Sequence, residues 1–181
     1  RLYLEDVWRC FLIIPRRRVS VHPNYFRGLD ENTAEYDSLL EIAKEFAKYW
    51  REGYHQDFGR DKPIEYPEAV KDAGLCKVHV LVFPLSKKDQ QFWDSKSYCC
   101  FGPYYRSHCD GCDSLLLYAV SEEGTALILA LYDQEGHNLL SKPYYEALRG
   151  LGEHAKAYFK SIDEQPALEQ DLLNFLRTPT C

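Results

Sequence analysis

The feature that most constrains the fold is a pair of nearly uninterrupted apolar segments, "SLLLYAV" (114–120) and "TALILALY" (125–132), joined by "SEEG" (121–124). Apolar runs of this length bounded by turn residues are typical of buried strands. The four-residue connection ends in glycine, which predicts a hairpin of two antiparallel strands. Because neither segment alternates with polar residues, both faces must be covered, and we expect the pair to lie centrally in a sheet.

Helical patterns lie on either side of this hairpin. Residues 30–52 carry apolar side chains at three- and four-residue spacing, and either Asp30 or Asn32 is placed to cap the helix. Residues 143–161 repeat the amphipathic pattern, and residues 166–177 predict a short acidic helix. The sequence therefore predicts helices at both ends of the chain.

Two further segments have the pattern of strands. "VSVH" (19–22) alternates, and "KVHVLVF" (77–83) is apolar until Pro84 stops it. Residues 54–75 are polar and rich in turn residues, and we predict no strand there. This order predicts an α+β fold with a small, mostly antiparallel sheet packed by the N- and C-terminal helices, and not a doubly wound fold.

The length of 181 residues predicts one domain with appended segments. Residues 1–18 are interpreted as an N-terminal extension, because a proline and an arginine cluster separate them from the first strand pattern. Residues 19–161 form the predicted domain, and residues 162–181 a C-terminal acidic helix or tail.

The charge of the chain limits the ways in which it could bind nucleic acid. The net charge is −6, whereas a protein that binds RNA by charge alone is basic. Any such role needs a local basic site or a larger partner that presents the RNA. The longest apolar run, Ala126 to Tyr132, is too short to cross a bilayer and no secretory signal is recognised, so we expect a cytoplasmic protein.

The segment "SYCCFGPYYRSHCDGCDS" (97–114) contains four of the seven cysteines. A zinc site there would need four thiolate or imidazole ligands, usually supplied as two short-spaced pairs. The candidate ligands are Cys99, Cys109, Cys112 and His108. A redox C-x-x-C is disfavoured because the pair precedes a strand and not a helix. The zinc interpretation defines an alternative function, a non-catalytic, zinc-stabilised protein-binding module.

Three side chains are candidates for chemistry on a phosphodiester. His79 lies within a predicted strand, His137 follows the hairpin, and Arg106 precedes it, so strand pairing could bring all three to one face. Histidine accepts or donates protons near neutral pH, and arginine binds phosphate through two parallel donors. Such a group suits attack of an RNA 2′-hydroxyl on its neighbouring phosphate.

"DFGRD" (57–61) presents Arg60 and Asp61 side by side after a glycine that permits a tight turn. A surface turn with a local ion pair is the simpler interpretation, and a structural role for His79 is likewise an alternative. The chain contains neither a phosphate-binding G-x-x-x-x-G-K loop nor a G-x-S-x-G nucleophile elbow.

Five segments in order carry a resemblance to a known family. They are "YWREGYHQDFGRDKPIEYP" (49–67), "LCKVHVLVF" (75–83), "YRSHCDGCDSLLLYAV" (105–120), "ALILALYDQEGH" (126–137) and "HAKAYF" (154–159). Together they resemble the YafO family of toxins from bacterial type II toxin–antitoxin systems, over roughly residues 19–161. The cysteine set, the N-terminal extension and the acidic tail lie outside the family pattern.

The resemblance implies an mRNA interferase that acts with the ribosome, an α+β fold akin to the RelE-like toxins, no cofactor, and a cognate antitoxin. It implies proton transfer by His79 and His137 and phosphate binding by Arg106. The positions expected to bind RNA or organise the site are Arg60, Asp61, Ser107 and Asp110. Phe58, Gly59 and Tyr118 also match, and Tyr118 is expected in the core. A ribonuclease that cuts naked RNA and a relative without catalysis remain alternatives.

Overall fold

Nine helices and strands form the regular structure of the described part of the chain. The computed structural model describes residues 18–52, 55–81, 114–132 and 136–176 and positions 87 and 91, with the backbone alone at 60, 137 and 173–176. The strands are β1 (Val19–Val21), β2 (Phe58–Pro63), β3 (Leu75–Val80), β4 (Leu115–Val120) and β5 (Ala126–Tyr132). The helices are α1 (Ala34–Glu52), α2 (Glu68–Lys71), α3 (Tyr145–Ser161) and α4 (Glu169–Leu176), with 3-10 turns at Pro23–Phe26, Gly136–Leu140 and Lys142–Tyr144. No helix within these ranges has both the length and the apolar character to cross a membrane.

The described strands form one five-stranded sheet in the order β1-β5-β4-β3-β2. β1 pairs with β5 in parallel, and the other three pairings are antiparallel. The predicted hairpin is confirmed as β4 and β5, and its turn contains Gly124 at a φ of 79°. The predicted α+β class with a mostly antiparallel sheet is also confirmed, whereas the kinship to RelE-like toxins stays a prediction.

Helices cover both faces of the sheet, as the apolar character of the hairpin predicted. On the first face, which we call the α1 face, Phe46 and Trp50 of α1 pack against alternate residues of β3, β4 and β5. On the second face, the α3 face, Leu148 and Phe159 of α3 pack against the intervening residues. Every residue of β4 is buried, because side chains of this strand enter both layers of the core.

Helix α1 begins later than the sequence predicted. The carboxylate of Asp30 accepts a hydrogen bond from the backbone N–H of Asn32 at 2.9 Å and so stabilises a turn before the helix. The hydroxyl of Thr33 instead accepts from the N–H of Tyr36 at 3.2 Å, and helical structure begins at Ala34. The predicted caps were therefore wrong, because Asp30 is used by the preceding turn.

Strand β2 lies within residues 54–75, where no strand was predicted. It forms the described edge of the sheet next to β3, and its register shifts between Phe58 and Asp61. A shift of this kind breaks the two-residue alternation by which strands are recognised. Pro63 ends the strand, a position that an edge strand tolerates.

The chain after α3 crosses the end of the sheet and returns to the α1 face. Ser121 and Pro166 form an isolated antiparallel bridge, and Ala167 and Leu172 are buried in the core of the α1 face. Gly74 lies beneath this crossing at a φ of 66°, and a Cβ there would lie 2.6 Å from the carbonyl oxygen of Val120. The predicted domain boundary at residue 161 stays a prediction, while residues 164–172 pack on the same core.

Candidate active site

His79 lies in β3 on the α3 face of the sheet, and only 2% of its surface is exposed. Alternate residues of this strand, Val78 among them, belong to the core of the α1 face. The cross-strand neighbour of His79 is Leu115, which belongs to the core of the α3 face. The strand alternation therefore directs the His79 imidazole to the side of the sheet that α3 covers.

Tyr132, Leu115 and His79 stand in one row across β5, β4 and β3. Neighbouring strands are about 4.8 Å apart, so the Cα atoms of Tyr132 and His79 are roughly 10 Å apart. Tyr132 is half-buried, and burial raises the pKa of its phenol, which keeps the hydroxyl protonated and able to donate. Sequence reasoning missed Tyr132, because its place in the row with His79 depends on the order and register of β3, β4 and β5.

The 3-10 turn Gly136–Leu140 brings the predicted residue His137 to the same side of the sheet. Leu139 of this turn is buried in the core of the α3 face together with Leu115. The backbone of His137 lies in the turn, and its side chain lies outside what the structure describes. The turn follows Tyr132 closely in the chain, which keeps it near the row that contains His79.

Two lysines lie on the α3 face beside His79. Lys62 of β2 and Lys77 of β3 are direct cross-strand neighbours, and Lys77 precedes His79 by two residues. Two residues along a strand span about 7 Å, which resembles the spacing of successive phosphates in a single RNA strand. Lys62 is half-buried and Lys77 is 8% exposed. This lysine pair provides local positive charge in a chain whose net charge is negative.

Asp61 lies on the opposite face from His79. It pairs in register with Val78, and its carboxylate accepts a hydrogen bond from the hydroxyl of Tyr49 at 2.6 Å. The hydroxyl of Tyr118 donates to both carboxylate oxygens, at 2.7 and 2.6 Å. Burial raises the pKa of Tyr118, and the charge of Asp61 adds to the rise. The structure therefore places Asp61 between the hydroxyls of Tyr49 and Tyr118 in the core of the α1 face and does not bring it to His79.

Asp57 of the "DFGRD" motif lies in a turn, but the residues from Phe58 onward belong to β2, so the surface-turn interpretation was wrong for them. Phe58 is buried and stacks on Tyr49 with ring centroids 5.0 Å apart. Gly59 is buried next to it. The backbone of Arg60 lies in β2 at the irregular part of the β2–β3 pairing, and its side chain lies outside what the structure describes.

The other predicted residues, Arg106, Ser107 and Asp110, lie outside the described residues, as do the proposed zinc ligands. The segment that contains them lies between Leu81 and Ser114 in the chain. The N–H of Val80 donates to the carbonyl oxygen of Ser114 at 3.1 Å, so both ends of the segment lie next to His79. Within the described ranges no group of three or more His, Cys, Asp or Glu residues could hold a metal ion.

Residues 44–161 match the family model of the toxin YafO of type II toxin–antitoxin systems. The match begins within α1 and ends with α3, and it covers well over half of the chain. The chain belongs to the YafO toxin family. No curated protein and no solved structure matches the sequence.

Membership of the YafO family identifies the general function of this chain and one protein partner. It is a toxin of a type II system, and such a system includes a cognate antitoxin. All of the residues that were predicted to act on RNA lie between 44 and 161 and thus within the matched region. The family match does not extend to α4 or to β1.

Proposed function

We propose that this YafO-family toxin is an endoribonuclease that cleaves mRNA on the ribosome and thereby inhibits translation in the cytoplasm. The observation that carries the proposal is the composition of one end of the α3 face. His79, Tyr132 and the lysine pair lie there, and the turn with His137 and both ends of the Arg106 segment approach the same end. The family match supports a toxic activity for this fold.

The reaction needs no group beyond the side chains of the chain. The ribose 2′-hydroxyl loses a proton to one histidine, and its oxygen forms a bond to the adjacent phosphorus. The bond from phosphorus to the 5′-oxygen breaks, and that oxygen takes a proton from the second histidine. The products are a 2′,3′-cyclic phosphate and a free 5′-hydroxyl. His79 and His137 are assigned the two proton transfers, which requires the imidazole of His79, 2% exposed in the free protein, to become accessible when the message binds.

Positive charge and orientation complete the proposed site. Arg106 is assigned to the non-bridging phosphate oxygens, where a guanidinium gives two parallel hydrogen bonds that stabilise the phosphorane. Lys62, the half-buried member of the lysine pair, is assigned to the phosphate next to the scissile one, because its cross-strand neighbour Lys77 lies two residues from His79 along β3. Arg60, Ser107 and Asp110 remain assigned to RNA contacts, and Asp61 to the support of β2.

Dependence on the ribosome follows from the small amount of positive charge. The two lysines and two arginines assigned to RNA give weak binding to free RNA in a chain of net charge −6, since each neutralised phosphate contributes only a limited, salt-dependent gain. A message that the ribosome already holds in place loses less entropy on reaching the site. We therefore expect cleavage of mRNA in a translating extract and little cleavage of naked RNA.

The test compares wild type with His79→Ala and Arg106→Ala in a reconstituted translation reaction, with mRNA ends mapped by primer extension. Loss of a general acid or base lowers the rate about 10² to 10⁴-fold. His154→Ala, a change at an exposed histidine on α3, serves as the control and should cleave as wild type does. Because His79 is buried, His79→Gln and a circular dichroism spectrum check that the variants fold. If folded His79 and Arg106 variants cleave as fast as wild type, the assignment is wrong.

A further inference from the structure

A groove of about 780 Å³ opens between α1 and the end of the sheet on the α1 face. Its apolar floor is formed by Leu29, Leu39, Ile42, Phe58, Val80 and Leu131. Its rim is formed by the carboxylates of Glu35, Glu41, Glu45 and Asp57. The volume falls within the range of about 300 to 1,000 Å³ that is usual for ligand sites in proteins.

The charged side chains that line the groove are all carboxylates, so its rim is negatively charged. Among the described residues that line the groove there are four carboxylates and no Lys, Arg or His. Glu41 pairs with Lys44 and Glu45 with Lys48, and the ring nitrogens of His55 lie 2.6 Å from Glu45 and 3.8 Å from Asp57; these three basic residues do not line the groove. An RNA strand would be repelled from such a rim, whereas a segment that carries Lys or Arg would be attracted.

The shape of the groove fits a short peptide segment. The groove follows α1 from Ala34 to Glu45, which is about three helical turns or roughly 16 Å. Apolar floors of this length bind amphipathic segments whose apolar side chains point into the groove. The occupant that fits both floor and rim therefore has apolar residues flanked by Lys or Arg.

We propose that this groove binds the cognate antitoxin through an amphipathic, positively charged segment. The type II system provides a protein partner, and the charge complementarity selects the part of that partner that docks. The proposal goes beyond the proposed ribonuclease activity, because the groove lies on the α1 face and His79, the catalytic candidate whose side chain the structure describes, lies on the α3 face. A segment in the groove contacts α1 and the ends of β3 and β5 and leaves the imidazole of His79 untouched.

The test measures the affinity of the purified cognate antitoxin for variants of the full-length toxin by titration calorimetry. Glu35→Lys with Glu41→Lys, the rim reversal, inverts two of the four rim charges and brings the net charge of the rim to zero, and we expect the affinity to fall at least tenfold at low salt. Leu39→Ala removes part of the floor and should lower the affinity by a similar factor. In both variants the mRNA cleavage by free toxin should equal that of wild type, because neither change touches the α3 face.

A matched control reverses two charges on the other face. Glu146 and Glu153 of α3 are exposed, and each forms an ion pair with a basic residue three positions later, as Glu41 does on α1. Glu146 also lies in the first turn of its helix, as Glu35 does. Glu146→Lys with Glu153→Lys should therefore keep wild-type affinity. Equal losses in both double variants, or no loss in the rim variant, would overturn the proposal.

A second copy of the toxin is the competing occupant of the groove. If light scattering shows a dimer of free wild-type toxin that the rim reversal converts to a monomer, the groove is a self-association surface and the proposal fails. Toxin that binds antitoxin as expected but cleaves no mRNA would leave this proposal standing and refute the ribonuclease assignment alone.

Discussion

The carboxylate of Asp61 connects three elements of the toxin at a single residue. It is carried by β2, and it accepts hydrogen bonds from Tyr49 of α1 and from Tyr118 of β4. Because β2 is the edge strand of the described sheet, these bonds attach the strand to the helix that covers it. Tyr118→Phe removes the donor to both oxygens and should lower the free energy of unfolding by about 1.5 to 3 kcal/mol, the range for hydrogen bonds to charged groups. Urea denaturation measures the change, with the exposed Tyr144→Phe as control. A loss below about 0.5 kcal/mol would show that the hydrogen bond from Tyr118 to Asp61 does not stabilise the fold.

At the scale of single elements, helix α1 depends on the turn that precedes it. The Thr33 hydroxyl satisfies the N–H of Tyr36, one of the amides that a helix start leaves without a partner. Thr33→Ala should destabilise the protein by about 1 kcal/mol, as the loss of an N-cap usually does. The control is Ser38→Ala, at an exposed position of the same helix. The Ser38 hydroxyl donates to the carbonyl oxygen of Ala34 and does not cap the helix. Thermal unfolding should separate the two variants, and equal melting temperatures would contradict the role of Thr33 as the cap.

A comparison of the predicted and observed helices and strands shows which elements the sequence could predict. The hairpin of β4 and β5 and the helices α1 and α3 were predicted because their apolar residues follow one period over many positions. β2 was missed because its bulge interrupts the alternation and its polar residues serve the contacts of Asp61 and the lysine pair. In the candidate site, His79 could be placed on a strand from local pattern. Tyr132 and Lys62 could not be placed beside it, because their proximity depends on strand order and register, which local pattern does not contain.

At the scale of the whole molecule, the C-terminal segment packs against the core of the α1 face. The sequence predicted an acidic helix or tail over residues 162–181, because these residues lie outside the resemblance to the family pattern. In the structure, Leu172 of α4 is 1% exposed in the core of the α1 face, whereas Leu168 is 64% exposed. The segment thus contributes a buried apolar side chain to the layer that also contains Trp50 and Tyr118.

These two leucines, four residues apart, give a direct test of that contribution. Leu172→Ala should cost about 2 to 5 kcal/mol, because it leaves a cavity in a closely packed core. Leu168→Ala makes the same chemical change on the surface and should stay within about 0.5 kcal/mol of wild type. Urea denaturation of both variants at one temperature gives the difference. If Leu172→Ala were as harmless as Leu168→Ala, the segment would be an appendage that the toxin fold does not need, and the core of the α1 face would be complete without it.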